Sequence, residues 1–252
     1  MVIANVGDVN NDGVEDFAIG CPECSSVGSA MMPQAGVVAF IYAGSQYWSN
    51  YSSSALPTSI NLGDIETLGL GFLVSGHEPY MQLGIGVTTG ADCDGDNMTD
   101  ILMASLNTSD GHSYTHLVYM QHPLPAPGPD RTLLSFSDTF VGKRIHWHGH
   151  GNDIEISNAM VIMDINGDGL GDVFIGDPIN GMNMSSGAVH MLWGIQGHRY
   201  HGEFSNYSST NYSGPDQVNL LLNTSRPKGC CILFLKLHTL FDQSIMTEIV
   251  SR

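Results

Sequence analysis

The chain has 252 residues, 42% of them apolar, enough to close one large domain or two small ones around a sizeable core, which excludes an acidic disordered tail. Its 25 Asp and Glu against 8 Lys and Arg give a formal net charge of −17, and Arg131 is the first Lys or Arg along the chain. That field repels phosphate backbones and anionic headgroups, so nucleic acid and membrane surfaces are excluded as partners and cations are favoured.

Thirty Gly and 11 Pro, with Ser and Asn spread between short apolar runs, predict many short strands joined by turns rather than long helices. The N-terminal MVIANVGD lacks the basic and apolar segments of a signal peptide. The longest apolar stretch, CCILFL at 230–235, is too short to cross a bilayer, so no membrane span is expected within the chain.

In chain order, VIANV at 2–6 is the first predicted strand, followed by the acidic nonamer DVNNDGVED at 8–16 and the apolar run FAIG at 17–20. GCP at 20–22 reads as a turn and AGVVAFIYAG at 35–44 as a further strand. The order then recurs. GIGVTTG at 84–90, DCDGDNMTD at 92–100, ILMAS at 101–105 and HSYTHLVYM at 112–120 make a second unit. AMVIM at 159–163, DINGDGLGD at 164–172, VFIG at 173–176, GDP at 176–178 and SGAVHMLWG at 186–194 make a third. Candidate first strands of the second and third units are GFLVSG at 71–76 and FVGKRI at 140–145, and the first unit has no room for one. Repeats of this size point to stacked or radial units.

The expected organisation is therefore a first, incomplete unit at 1–50, a second at 70–121, a Pro-rich connector at 122–135 and a third unit at 136–199. Residues 200–252 form a tail outside the repeat, divergent or disordered.

Numbered from one, each nonamer carries oxygen-bearing side chains at positions 1, 3, 5 and 9. These are Asp8, Asn10, Asp12 and Asp16, then Asp92, Asp94, Asp96 and Asp100, then Asp164, Asn166, Asp168 and Asp172. A hard cation such as Ca²⁺ takes six to eight oxygens at about 2.3–2.6 Å, and alternate residues of a tight loop converge on one point. Position 7, Val14, Met98 and Leu170, would add its backbone carbonyl, which leaves its side chain free to vary. Position 6, Gly13, Asn97 and Gly169, needs a left-handed backbone, which Gly adopts freely and Asn tolerates best among the rest. Solvated Asp/Asn/Gly turns would look similar singly, but three copies with oxygen at all twelve side-chain positions favour up to three Ca²⁺ ions. An EF-hand or a dockerin repeat would require Glu at position 12, where Ile19, Met103 and Ile175 stand inside predicted strands.

A D-x-[DN]-x-D-[GN]-x-x-D loop, an apolar strand, G-x-P and a later G-[AV]-V strand together resemble the FG-GAP repeats of the integrin α-chain β-propeller. The likeness covers residues 1–195, strongest in the loops and weakest in the second unit. It implies an all-β fold, a partial β-propeller of about three four-stranded antiparallel blades with the first blade incomplete, and calcium held by the loop residues named above. It also implies a non-catalytic adhesion or ligand-binding segment of an extracellular or cell-surface protein. Its partners would be a protein or glycan on the propeller surface and a β-type receptor subunit. The family propeller has more blades than the three units here, so a piece of a larger protein is expected. The alternative is the accessory propeller of a secreted enzyme, since glycosylphosphatidylinositol-specific phospholipase D carries the same repeats.

The remaining features carry less. Sequons at Asn50, Asn97, Asn107, Asn183, Asn206, Asn211 and Asn223 suit a glycoprotein, although a glycan on Asn97 would collide with a cation loop. Cys21 and Cys24 in CPEC fit a small local disulfide or unpaired thiols. His146, His148 and His150 alternate as strand ligands would, but Gly149 and Gly151 favour a solvated loop. Trp48, Trp147 and Trp193 are expected to pack rather than to bind. No G-x-S-x-G elbow, zincin motif or phosphate-cradling Gly loop is present, so no catalysis is expected.

Overall fold

The computed structural model describes residues 1–26, 31–49, 59–108, 112–120, 144–148, 159–177, 188–197, 202–205, 217–223 and 232–236. Those residues are mostly β, arranged in three small sheets whose neighbouring strands are antiparallel with one exception. The apolar runs flanking each acidic nonamer become paired strands, because short β-branched and aromatic stretches between Gly-rich turns satisfy their backbone groups only by pairing.

The first sheet is a meander of β1 (Val2–Gly7), β2 (Asp16–Cys21), β3 (Val37–Ile41) and β4 (Gly71–Ser75), in that order. Two one-turn helices, α1 (Ser45–Trp48) and α2 (Asp64–Thr67), lie between β3 and β4. The second sheet comprises β5 (Gly86–Thr89), β6 (Ile101–Asn107), β7 (His112–Val118) and β8 (Arg144–His148), and β12 (Gly202–Ser205) pairs parallel to β8. The third comprises β9 (Met160–Met163), β10 (Asp172–Asp177), β11 (Ala188–Leu192), β13 (Gln217–Asn223) and β14 (Ile232–Lys236). In each sheet the acidic nonamer links the first strand to the second.

Three expectations are corrected by this pairing. Gly71–Ser75 does not open the second unit: Phe40 faces Phe72 and Val38 faces Val74, so β4 closes the first sheet. The first unit consequently lacks no strand, since β1 is the strand that precedes its loop and β4 is its fourth. β8 likewise completes the second sheet rather than starting the third, and it takes in His146 and His148, which were expected in a loop. The tail is not wholly outside the repeat, because β13 pairs with β11 as the fourth strand of the third sheet and β14 extends it. The physical reason is common to all three. An apolar run pairs with whichever strand offers an open edge and a complementary face, and the open edge here belongs to the preceding unit. The connector expected at 122–135 and His150 lie outside the described residues.

The sheets stack through strands apolar on both faces. On β6, Ile101 and Met103 point toward the first sheet and join Phe40, Phe72, Val38 and Val74 in one core. Leu102 points the other way and joins Leu117, Ile162, Val173 and Ile175 in a second core with the third sheet. All five residues of β3 are buried for the same reason, with Val37, Ala39 and Ile41 covered by Ile65 and Leu70 around α2. Phe40 and Phe72 stack with ring centroids 4.5 Å apart. Trp48 packs on this third cluster, and its indole N–H donates to the Tyr42 carbonyl at 2.7 Å. The first strands lie together, β1 against β5 and β5 against β9, so the three nonamers share one end of the stack.

Leu102 is fully buried and Leu68 is half exposed. Leu102→Ala should therefore cost roughly 2–5 kcal/mol in a denaturant titration, whereas Leu68→Ala should stay within about 0.5 kcal/mol of the parent.

Candidate metal centre

Each nonamer is folded by its own carboxylates. The position 1 side chain accepts backbone N–H groups from across the loop. Asp8 takes Asp12 and Gly13 at 2.9 and 2.7 Å, Asp92 takes Gly95 and Asn97 at 2.6 Å each, and Asp164 takes Gly167 and Gly169 at 2.7 and 2.8 Å. Position 3 accepts from the N–H of position 5, at 3.0 Å in Asn10, 3.2 Å in Asp94 and 2.9 Å in Asn166. Position 5 accepts from the N–H of position 7 at 2.9 Å to Val14 and 2.8 Å to both Met98 and Leu170. These successive Asx turns wind the chain so that alternate side chains share one side.

The backbone conforms. Position 6 is left-handed in all three loops, with φ of 86° at Gly13, 66° at Asn97 and 89° at Gly169. Position 4, which the sequence reading passed over, is left-handed as well, at Asn11, Gly95 and Gly167, residue types that adopt that conformation most readily.

Position 9 does something the spacing did not reveal. Asp16 accepts from Val9 N–H at 3.1 Å and from Ala43 N–H at 2.7 Å. Asp100 accepts from Cys93 at 2.7 Å and Met120 at 3.0 Å, and Asp172 from Ile165 at 3.1 Å and Gly194 at 3.0 Å. All three carboxylates are buried. Each one thus ties loop position 2 to the segment just past the third strand of its own sheet, with lone pairs left over for a further partner.

The second loop brings its acids closest. Asp92, Asp94 and Asp100 each offer one oxygen, and these oxygens lie within 4.8 Å of one another. Two ligands on opposite sides of a Ca²⁺ ion about 2.4 Å from each stand about that far apart, so the donor set fits a hard cation. Asp96 is exposed and stands outside that triad. In the first and third loops position 3 is Asn, and its amide N–H donates to the position 5 carboxylate, Asn10 to Asp12 at 3.1 Å and Asn166 to Asp168 at 2.9 Å. There a weak amide dipole stands where a cation would neutralise the acids. Two residues unforeseen from the sequence cap the first loop from α1: Gln46 Nε2 donates to Asp12 at 2.5 Å, and Asn10 Nδ2 donates to the Tyr47 hydroxyl at 3.1 Å.

Burial pushes the Asp16 carboxyl up to about 6 against the pull of the Ala43 and Val9 N–H groups, with Asp12 and Asp8 adding repulsion. Burial also holds Asp100 well above the ordinary carboxylate range and raises Asp172. Asp164 is exposed, and the N–H of Gly169 with its neighbours lowers it. Burial raises the Cys93 thiol too, which keeps it protonated and outside the donor set. Cys21 and Cys24 form a disulfide in the turn after β2.

No family model matches the sequence.

The raised carboxyls give the metal-free chain a definite pH response. A folded-state value above the unfolded one favours folding while the group is protonated, so this contribution is complete below about pH 4 and lost as pH rises through about 6. In EDTA the melting temperature should accordingly fall between pH 4.5 and pH 7, and saturating calcium should abolish that fall at the neutral end.

Proposed function

We propose that the chain is a calcium-binding, non-catalytic β-propeller segment of an extracellular or cell-surface protein, with an integrin-α-like role in adhesion or ligand binding. The observation that carries the reading is the threefold recurrence of one loop geometry between the first and second strands of three stacked sheets, with three carboxylates of one copy gathered within 4.8 Å. Antiparallel meanders whose first strands lie together while their faces stack are how propeller blades fan around an axis.

In this reading each ion would be held by its loop's residues at positions 1, 3, 5 and 9 and by the position 7 carbonyl. The ion supplies charge neutralisation only. Three ions would bring the formal charge from −17 to −11. The acids are occupied in shaping loops, so the function is positional: rigid loops hold a surface that a protein or glycan partner reads, and a β-type receptor subunit is a natural neighbour. The Cys21–Cys24 disulfide and the seven sequons favour an oxidising, secretory environment. Among the described residues no helix is long and apolar enough to cross a membrane.

Calorimetric titration of the chelator-stripped chain should show up to three calcium ions bound, and saturation should raise the melting temperature by about 5 °C or more. An unchanged melting temperature with no heat of binding would sink the proposal.

A further inference from the structure

The three loops differ in what lies beyond them. Around the first, the side-chain partners come from its own sheet, Gln46 and Tyr47 of α1. The third is exposed along its length apart from Leu170 and the buried end at Gly171 and Asp172. The second is fastened to the third sheet by four consecutive backbone carbonyls. Asp92 accepts from Gly171 N–H at 2.7 Å, Cys93 from Ile195 N–H at 3.0 Å, Asp94 from Gly197 N–H at 2.6 Å and Gly95 from Gln196 Nε2 at 3.1 Å. The segments meet without space to spare. A Cβ on Gly194 would stand 2.6 Å from the Gly171 carbonyl oxygen and 3.1 Å from that of Cys93.

We propose that the second loop's cation is the fastener between the second and third sheets, so that calcium there, unlike calcium in the first loop, governs how the third sheet docks. This rests on the calcium reading given above. The argument is one of shared atoms. The peptide units carrying the four accepting carbonyls lie between the side chains that converge on the ion, so whatever fixes Asp92 and Asp94 also aims the acceptors at the third sheet. Without a cation the loop holds four carboxylates, two of them buried, and their mutual repulsion pushes apart the turn that presents those carbonyls. With a cation the loop is rigid and its acceptors are preset. Coupling of this kind is reciprocal: docking of the third sheet must tighten calcium at the second loop by the same factor that calcium there favours docking. Gln196 is then a positioning residue for a cation that it does not touch.

The test is hydrogen exchange on the full chain with and without calcium, paired with calorimetry. Asp94→Ala removes a carboxylate of the second loop's triad and should speed exchange of the amides at 188–197 and in β10 by about tenfold or more in calcium. Asp12→Ala should leave those segments unchanged and act within residues 1–49. Gln196→Ala leaves every ligand in place and should weaken one of the bound ions by roughly five- to tenfold, sparing the others. Unchanged exchange at 188–197 in Asp94→Ala, with ions still bound to the other loops, overturns the inference. Unaltered affinities in Gln196→Ala overturn it too. A parent chain that binds no calcium at all overturns the calcium reading itself, and the calorimetric stoichiometry distinguishes that failure before any variant is made.

Discussion

The interaction on which the architecture depends is a buried carboxylate that accepts two backbone N–H groups. Asp16, Asp100 and Asp172 each sit at the junction of an acidic loop and the second strand of a sheet, and each reaches back to the loop and across to the exit of the third strand. Both donors would otherwise be stranded beside apolar strands, where an unpaired N–H costs about 1–3 kcal/mol. The same burial that makes the bond valuable raises the carboxyls at all three positions. Fold and charge are thus held in tension at one end of the stack, and the calcium proposed above would relieve it.

How much of this was legible beforehand depended on whether side chains or backbone did the work. The strands around each nonamer were read correctly because short apolar runs and the turn residues between them are side-chain properties, and the oxygen pattern at positions 1, 3 and 5 returned as the Asx turns that wind each loop. The fourth strands of the first and second sheets were assigned to the unit that follows, and that of the third to the tail. Nothing in GFLVS says which edge it will meet, and only the Phe40–Phe72 and Val38–Val74 pairings decide the matter. The clamp donors were invisible for a stricter reason. Ala43, Met120 and Gly194 contribute only an N–H, which any residue but Pro supplies, and they lie 27, 20 and 22 residues beyond their partners, so neither type nor interval marks them.

The loops also show how one motif is tuned by its surroundings. Asn at position 3 in the first and third copies lets an amide donate within the loop, while Asp94 in the second removes that donor and gathers three carboxylates. Among the described residues, that copy is also the one whose carbonyls are engaged by the neighbouring sheet. Charge density and structural enclosure therefore rise together in the middle of the stack, where the chain has most neighbours to hold.

The two-faced strands carry a consequence for folding fidelity. In β6, Ile101 and Met103 serve one core while Leu102 serves the other. A slip of one residue along the neighbouring strand exchanges two surfaces of nearly equal hydrophobicity, so the penalty that protects a half-solvated strand from misalignment is largely missing. Two buried polar contacts resist the slip: Asp100, whose carboxylate meets the N–H groups of Cys93 and Met120 in one alignment alone, and Ser105, whose hydroxyl shares a 2.9 Å hydrogen bond with His116 Nε2 on β7. The acidic residue that closes each loop thereby also acts as the zero mark from which its sheet is counted.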